Sequence, residues 1–327
     1  MKTRDIYITI SASVALIAQT LAADKKELTS VFFQMDYIYN AQFAGHVVAL
    51  EKGYYEDEGL FVISSIGVST NPTMVDRVVD IEYAIGTTHS FALLRSIEAG
   101  APVKAVGTMF QFYPNGWIYL EDGPFKSIED MGKVRVGLHD KSSAFDKMLV
   151  KLAGFQIDDL NVTELPEVPH DPRRVLNGDV DVMTGYLVEE YVTLDMKSGG
   201  KGEIILFNET GYEGYGQMLF TTNTMIEERP EVIRGFLKAQ QKGWDDAIAN
   251  PRETAELIHS AYSPDLSVDQ MEQALIAMKI LVQPDGPPSL KPISLERMEA
   301  ARDLLLEFNM LNRTFPIDLV VDNRFNP

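Results

Sequence analysis

Short apolar runs alternate with longer stretches in which apolar residues recur at helical spacing, and this alternation continues through most of the chain. Short runs bounded by turn residues suit buried strands. The periodic stretches suit helices laid over them, so the pattern predicts an α/β fold of parallel sheets covered by helices. Residues 30–35 read as a first strand. Residues 40–52 read as the helix that follows, with Phe43, Val47 and Leu50 on one face and Gly53 as its stop. Further strands are expected at 60–66, 83–85, 103–109, 134–138, 162–165, 180–184 and 204–207, and further helices at 72–79, 90–98, 142–153, 172–176 and 189–197. Gly86, Thr87, Thr88 and His89 read as a polar turn into the helix at 90, and Ser127 to Asp130 carries capping-box spacing at the start of a short helix. Beyond Asn223 the pattern is helical, notably at 230–250, 252–261, 268–280 and 295–307.

Strand-like stretches near Trp117 and Leu219 interrupt this order as an exit from the first set of units and a return to it. The expected organisation is a first lobe of residues 24–117 and 220–327 and a second lobe of 118–219, with a ligand cleft between them and a helical C-terminal region. Two crossings suit a hinge, because a few residues can absorb the rotation that closes a cleft.

The first residues add a processing signal. Lys2 and Arg4 precede a mostly apolar stretch from Ile6 to Leu21, with small residues at Ala22 and Ala23 and charges from Asp24 to Glu27, so 1–23 reads as a cleavable secretory signal. An uncleaved anchor is the alternative, but the stretch falls short of the roughly 20 strongly apolar residues a membrane span needs. The remaining length matches two domains by the usual prior and buries a large core without covalent staples. A formal charge of −19 repels nucleic-acid phosphates, so no nucleic-acid partner is expected. The 327 residues include no cysteine, which excludes disulfides, thiol nucleophiles, thiolate metal sites and a lipidated N-terminal cysteine. An exported, untethered, cysteine-free chain fits a periplasm.

Several segments together resemble a known family. They are Met35-Asp-Tyr-Ile-Tyr-Asn40, Gly45, Ala49 to Leu60 with its Lys-Gly-Tyr-Tyr-Glu, Asp80 to Gly86, Leu176 to Asp181, Tyr186 to Glu190, Leu219-Phe-Thr-Thr222, and Glu228 to Pro251. Over roughly 30–260 the chain is similar to the pyrimidine-precursor branch of periplasmic binding proteins of ABC importers, which includes receptors for thiamine pyrimidine precursors and riboflavin. Related branches take sulfonates, taurine and nitrate, and a yeast-type branch synthesises the pyrimidine precursor. The resemblance implies a type II periplasmic binding protein fold, a small-molecule ligand and an importer permease in the inner membrane as partner. Tyr39 stands where relatives often have proline, and Phe43 where several have histidine. The synthases carry a lysine and a histidine after the third strand and a cysteine-rich iron site before the return strand. Gly86 and Ser90 fall on those first two positions, His89 is one place off, and cysteine is absent. The resemblance therefore implies a receptor and not an enzyme, with no cofactor and no metal.

In open α/β sheets ligands bind beyond the carboxyl ends of strands. That rule selects Asp36, Tyr37 and Asn40 after the first strand and Thr87, Thr88, His89 and Ser90 after the third. In the second lobe it selects Ser142, then Tyr186, Glu189 and Glu190, with Tyr215 before the return. Aromatic faces stack on flat rings and carboxylates accept N–H donors strongly, whereas an anion needs Arg, Lys or helix N-terminal amides. None of these positions is Arg or Lys, although Lys141 is close, so the expected ligand is a flat neutral or cationic heterocycle such as an aminopyrimidine or a riboflavin-like flavin. Each residue also has a structural role open to it. Asp36 and Asn40 suit a loop and an N-cap, Tyr37 and Tyr39 a core edge, Thr87 to Ser90 a helix cap, and Glu190 a solvated helix face. The alternatives for function are an anion receptor, a synthase-like enzyme, and a receptor lobe that signals to a membrane kinase. A monomer suffices for capture and docking.

Overall fold

The computed structural model describes residues 28–67, 73–167 and 171–327. The expected signal at 1–23, Pro72 and His170 lie outside the described residues, and the helix expected from Pro72 runs Met74–Asp80. Among the described residues ten strands form two five-stranded sheets. The first contains β1 (Thr29–Gln34), β2 (Leu60–Ser65), β3 (Ala84–Thr88), β4 (Val103–Phe110) and β10 (Gly216–Thr222) in the order β2-β1-β3-β10-β4. The second contains β5 (Asn115–Leu120), β6 (Arg135–Leu138), β7 (Asn161–Glu164), β8 (Val182–Tyr186) and β9 (Gly202–Leu206) in the order β7-β6-β8-β5-β9.

The sheets are not wholly parallel as the alternation predicted. β10 runs antiparallel to β3 and β4, and β5 runs antiparallel to β8 and β9. Both are the strands that arrive from the other sheet, without the helical crossover that keeps successive strands parallel. The chain changes sheet at 111–114 and 207–215. Trp117 and Leu219, expected at the crossings, lie inside β5 and β10 and are fully buried.

Other departures have local causes. The helix expected at 40–52 opens with a separate 3₁₀ turn, Ala41–Phe43, before Ala44–Glu51. Gly86, Thr87 and Thr88 belong to β3 and not to a turn; the strand is buried throughout, and Thr87 finds a side-chain partner there. Ser127 makes no capping bond; Asp130 instead accepts from the Lys126 N–H at 3.1 Å, and a 3₁₀ segment, Ile128–Lys133, follows. The chain after Glu307 is not helical beyond two short turns, and Val321 bridges Ala105 on the first sheet.

The helices Ala44–Glu51 and Pro230–Ala249 touch backbone to backbone. A Cβ on Gly243 would lie 2.0 Å from the Gly45 carbonyl oxygen, and one on Gly45 would lie 2.3 Å from the Trp244 ring. That approach seats Trp244 fully buried, with its indole N–H donating to Met109 Sδ at 2.7 Å. Gly243→Ala is expected to force the helices apart and to cost about 2 kcal/mol, within the usual range for overpacking, read as a lower urea midpoint at unchanged slope. Among the described residues no helix is long and apolar enough to cross a membrane.

Candidate ligand cleft

β1 and β3 lie side by side with Gln34 opposite Gly86, so Asp36, just past β1, meets Thr87 near the end of β3. Asp36 donates its N–H to Thr87 Oγ1 at 3.0 Å, and the Thr87 hydroxyl donates to Asp36 Oδ1 at 2.9 Å. This reciprocal pair fixes the carboxylate at the sheet edge, with Gln42 Nε2 at 3.5 Å from the same oxygen. Burial raises the Asp36 pKa against the opposing pull of the Thr87 bond. Asn40 Oδ1 accepts from the Gln42 N–H at 2.9 Å, so it caps the 3₁₀ turn, while its Nδ2 donates to Glu189 Oε1 at 3.1 Å. One side chain thus serves as cap and as a bond between elements of the two sheets.

The second sheet contributes the end of β8 and the wide turn after it. Leu187–Tyr191 is π-helical, a form that recurs at functional sites, and leads into the helix Val192–Ser198. Glu190 folds back to accept from the Tyr186 N–H at 2.9 Å. Glu189 points to Asn40, and burial raises its pKa, opposed by that bond.

Between these edges lies a cavity of about 330 Å³. Asp36, Tyr37 and His89 line it from the first sheet, and Tyr186, Glu189 and Glu190 from the second. Among the described residues that line it, none is Lys or Arg. His89 caps the helix Ser90–Glu98 by accepting from the Ala92 N–H through Nδ1 at 3.3 Å. Burial lowers its pKa to about 4, so the neutral ring carries its proton on Nε2 at neutral pH. Burial, with the Asp36 charge second, pushes the Tyr113 hydroxyl up to about 12; burial also raises Tyr186 well above the usual range and raises Tyr37. The cavity therefore presents carboxylate acceptors beside neutral aromatic hydroxyls.

The other expected residues lie around it or away from it. Thr87 sits behind Asp36. Thr88 lines an adjoining groove of about 1060 Å³ that shares Asp36, Tyr37 and His89, and Asn40 lines a third space of about 310 Å³ on the far side of Glu189. Ser90 and Tyr215 do not line the cavity. Their backbones pair through the Ser90 N–H and the Tyr215 carbonyl at 3.0 Å, the Tyr215 N–H donates to Ser90 Oγ at 3.1 Å, and the Tyr215 hydroxyl accepts from the Ser294 N–H at 3.0 Å. Ser142 is exposed and bound to Asp140 at 2.7 and 2.9 Å. These three residues hold loops.

Sequence reasoning missed Gln42, Tyr113, Asn115, Thr184 and Gln217 on the cavity wall. Tyr113 and Asn115 flank the passage into β5, and Gln217 lies at the start of the return strand after Gly216, so the exit and the return located these segments without singling out residues.

The profile described as NMT1/THI5 like matches residues 40–254. The riboflavin-binding protein RibY of Chloroflexus aurantiacus is 27% identical over 251 residues, covering 74% of this chain and 70% of the relative. The formylaminopyrimidine-binding protein of Halalkalibacterium halodurans is 27% identical over 280 residues, covering 81% and 82%. A 4-amino-5-hydroxymethyl-2-methylpyrimidine phosphate synthase of Legionella pneumophila is 24% identical over 226 residues, covering 66% and 68%. Among solved structures, the periplasmic aliphatic sulphonate binding protein SsuA of Escherichia coli superposes with a TM-score of 0.67 at 16% identity, covering 91% of this chain and 92% of its own. The fold is that of the periplasmic binding proteins.

Proposed function

The chain belongs to the NMT1/THI5-like family, and we propose that it is the periplasmic substrate-binding component of an ABC-type importer, taking a small flat N-heterocycle related to a thiamine pyrimidine precursor or a riboflavin-like flavin. One observation carries the ligand class: a cavity lined by three carboxylates and by tyrosine and histidine rings, with no Lys or Arg among the described residues of its wall. Such a wall suits N–H donors on a flat ring and opposes a sulfonate or nitrate. The two curated binding proteins that match most of the chain are consistent with that class. The coverage of SsuA supports the fold and leaves its sulfonate ligand to SsuA.

The same reading makes the chain a receptor without catalysis. The resemblance puts Gly86 at the position of the synthase lysine, and a Cβ there would lie 2.6 Å from Val78 Cγ2 and 2.8 Å from the Phe220 ring. No side chain enters there without displacing that core, so the residues present do not fit a Schiff base with pyridoxal phosphate.

Capture proceeds by closure of the lobe built on the first sheet onto the lobe built on the second, with the crossings at 111–114 and 207–215 and not at Trp117 and Leu219. The bonds Asn40–Glu189 and Gln270–Thr193, at 3.1 Å each, join elements of the two sheets and support this mechanism. A ligand that touches both walls favours the closed form by its differential affinity, and the permease reads that form.

The test is a thermal-shift panel on residues 24–327 with aminopyrimidines, thiamine, riboflavin, taurine, alkanesulfonates and nitrate. A ligand at 100 times its Kd adds about 2.7 kcal/mol, a readily measured rise in Tm. A rise with flat heterocycles alone is expected; a rise with sulfonate or nitrate alone overturns the pocket chemistry. Tyr37 is 36% exposed and lines the cavity. Tyr37→Ala is therefore expected to weaken binding at least tenfold while the ligand-free Tm stays within about 1 °C, since exposed substitutions cost little.

A further inference from the structure

Gln217, the second residue of the return strand β10, has a left-handed backbone, φ 35°, which side-chain-bearing residues seldom adopt. It is 2% exposed, and among the described residues neither Oε1 nor Nε2 of its amide has a hydrogen-bond partner. The side chain nevertheless lines the 330 Å³ cavity. Its neighbours are tied down. The Gly216 carbonyl accepts from Thr108 Oγ1 at 3.0 Å, and the Gly216 N–H donates to the Phe112 carbonyl at 3.3 Å. The strand thus holds Gln217 in a strained conformation with a buried amide unsatisfied at both ends. Buried amides almost always find partners, and strained backbone persists where the surroundings enforce it, commonly at ligand sites.

An amide offers one acceptor and one donor side by side. Its full complement is a ligand edge that carries a donor and an acceptor on adjacent atoms, as in the ring nitrogen and amino group of a 4-aminopyrimidine or the N–H and carbonyl of a pyrimidinedione. The carboxylates around the cavity, when ionised, only accept and cannot read such an edge. We infer that Gln217 is a specificity-determining residue of the cleft, selecting flat heterocycles by pairing its amide with an adjacent donor and acceptor on the ring. This rests on the ligand class proposed above and goes further by naming the edge that is recognised and the residue that reads it.

The experiment uses matched ligand pairs. One is 4-amino-2-methylpyrimidine with 2,4-dimethylpyrimidine; the other is riboflavin with 3-methylriboflavin, in which the ring N–H is blocked. Calorimetric titration of the wild type is expected to favour the intact member of at least one pair tenfold or more. Gln217→Leu is expected to erase that preference by weakening the intact ligand at least tenfold and leaving the blocked one within about twofold, because an amide–edge pair is lost only where it formed. The ligand-free Tm of this variant should rise, since an unsatisfied amide has been removed. Gln217→Gly, which fits the left-handed backbone, serves as the second variant should the leucine not fold. Retention of the preference in both variants overturns the assignment to Gln217. In that case continued weakening by Tyr37→Ala would leave the cleft reading standing. Failure of the wild type to bind any of the four compounds overturns the ligand class and this inference together.

Discussion

Asp36→Asn is expected to weaken binding of an amine-bearing heterocycle about a hundredfold, with no loss of ligand-free stability. The substitution keeps the shape and leaves Oδ1 to accept from Thr87, which donates to it at 2.9 Å. It removes the charge. A hydrogen bond to a charged group contributes about 1.5–3 kcal/mol, and the upper part of that range corresponds to a hundredfold. Stability is expected to hold or rise, because burial already disfavours the ionised form. The pH dependence has a definite sign. The ligand's N–H groups need the carboxylates ionised, and burial holds both Asp36 and Glu189 above their ordinary values. Wild-type affinity should therefore fall on acidification at a higher pH than an exposed carboxylate would impose, and the Asp36→Asn profile should be flatter. Titrations at several pH values decide it; wild-type and variant affinities that coincide at every pH would remove Asp36 from the site.

Much of this cleft was legible because it follows from topology. The rule that ligands sit beyond strand ends selected Asp36, Tyr37, His89, Tyr186 and Glu190, and all five line one cavity. The rule failed where a loop residue faces its own loop. Ser142 follows a strand end as the rule requires, yet Asp140 takes both its N–H and its hydroxyl. Ser90 and Tyr215 likewise satisfy each other across the mouth of β10. A single sequence shows that a polar residue is near a strand end and not which way its side chain turns. Gln217 is the converse case. In sequence it is one polar residue at the start of an apolar strand, and only the fold reveals an amide left without partners among the described residues. The two antiparallel strands were hidden for a similar reason, because hydrophobic periodicity gives a strand's existence and not its direction.

Acid should destabilise this protein well above the range in which carboxylates titrate, and two buried histidines set the size of the effect. His46 is fully buried in a directional chain. Gln240 Nε2 donates to the Tyr55 hydroxyl at 2.6 Å, the Tyr55 hydroxyl lies 2.8 Å from His46 Nδ1, and His46 Nε2 lies 2.7 Å from Ser64 Oγ. With Tyr55 accepting from Gln240, its own proton goes to Nδ1, and the proton of neutral His46 sits on Nε2 toward Ser64. Burial lowers the His46 pKa from 6.5 to about 3 and that of His89 from 6.5 to about 4. Between pH 6.5 and about 4 the unfolded chain protonates both rings and the folded chain neither, so stability falls with pH across that window. At pH 5, 1.5 units below the unfolded value, each histidine costs about 2 kcal/mol, or about 4 kcal/mol together. The raised pKa values of Asp36, Glu189 and Asp146 act in the opposite direction, adding stability as pH falls through them, and recover part of this loss toward the lower end of the window. Urea unfolding at pH 7 and pH 5 is expected to show the wild type losing several kcal/mol, and His46→Gln and His89→Gln each losing about 2 kcal/mol less. Equal losses in wild type and both variants would place the acid sensitivity elsewhere. A smaller loss in His89→Gln alone would show that the Gln240–Tyr55–His46–Ser64 chain tolerates a charged ring, which its geometry opposes because protonation puts a second donor against a Tyr55 hydroxyl already committed to donating.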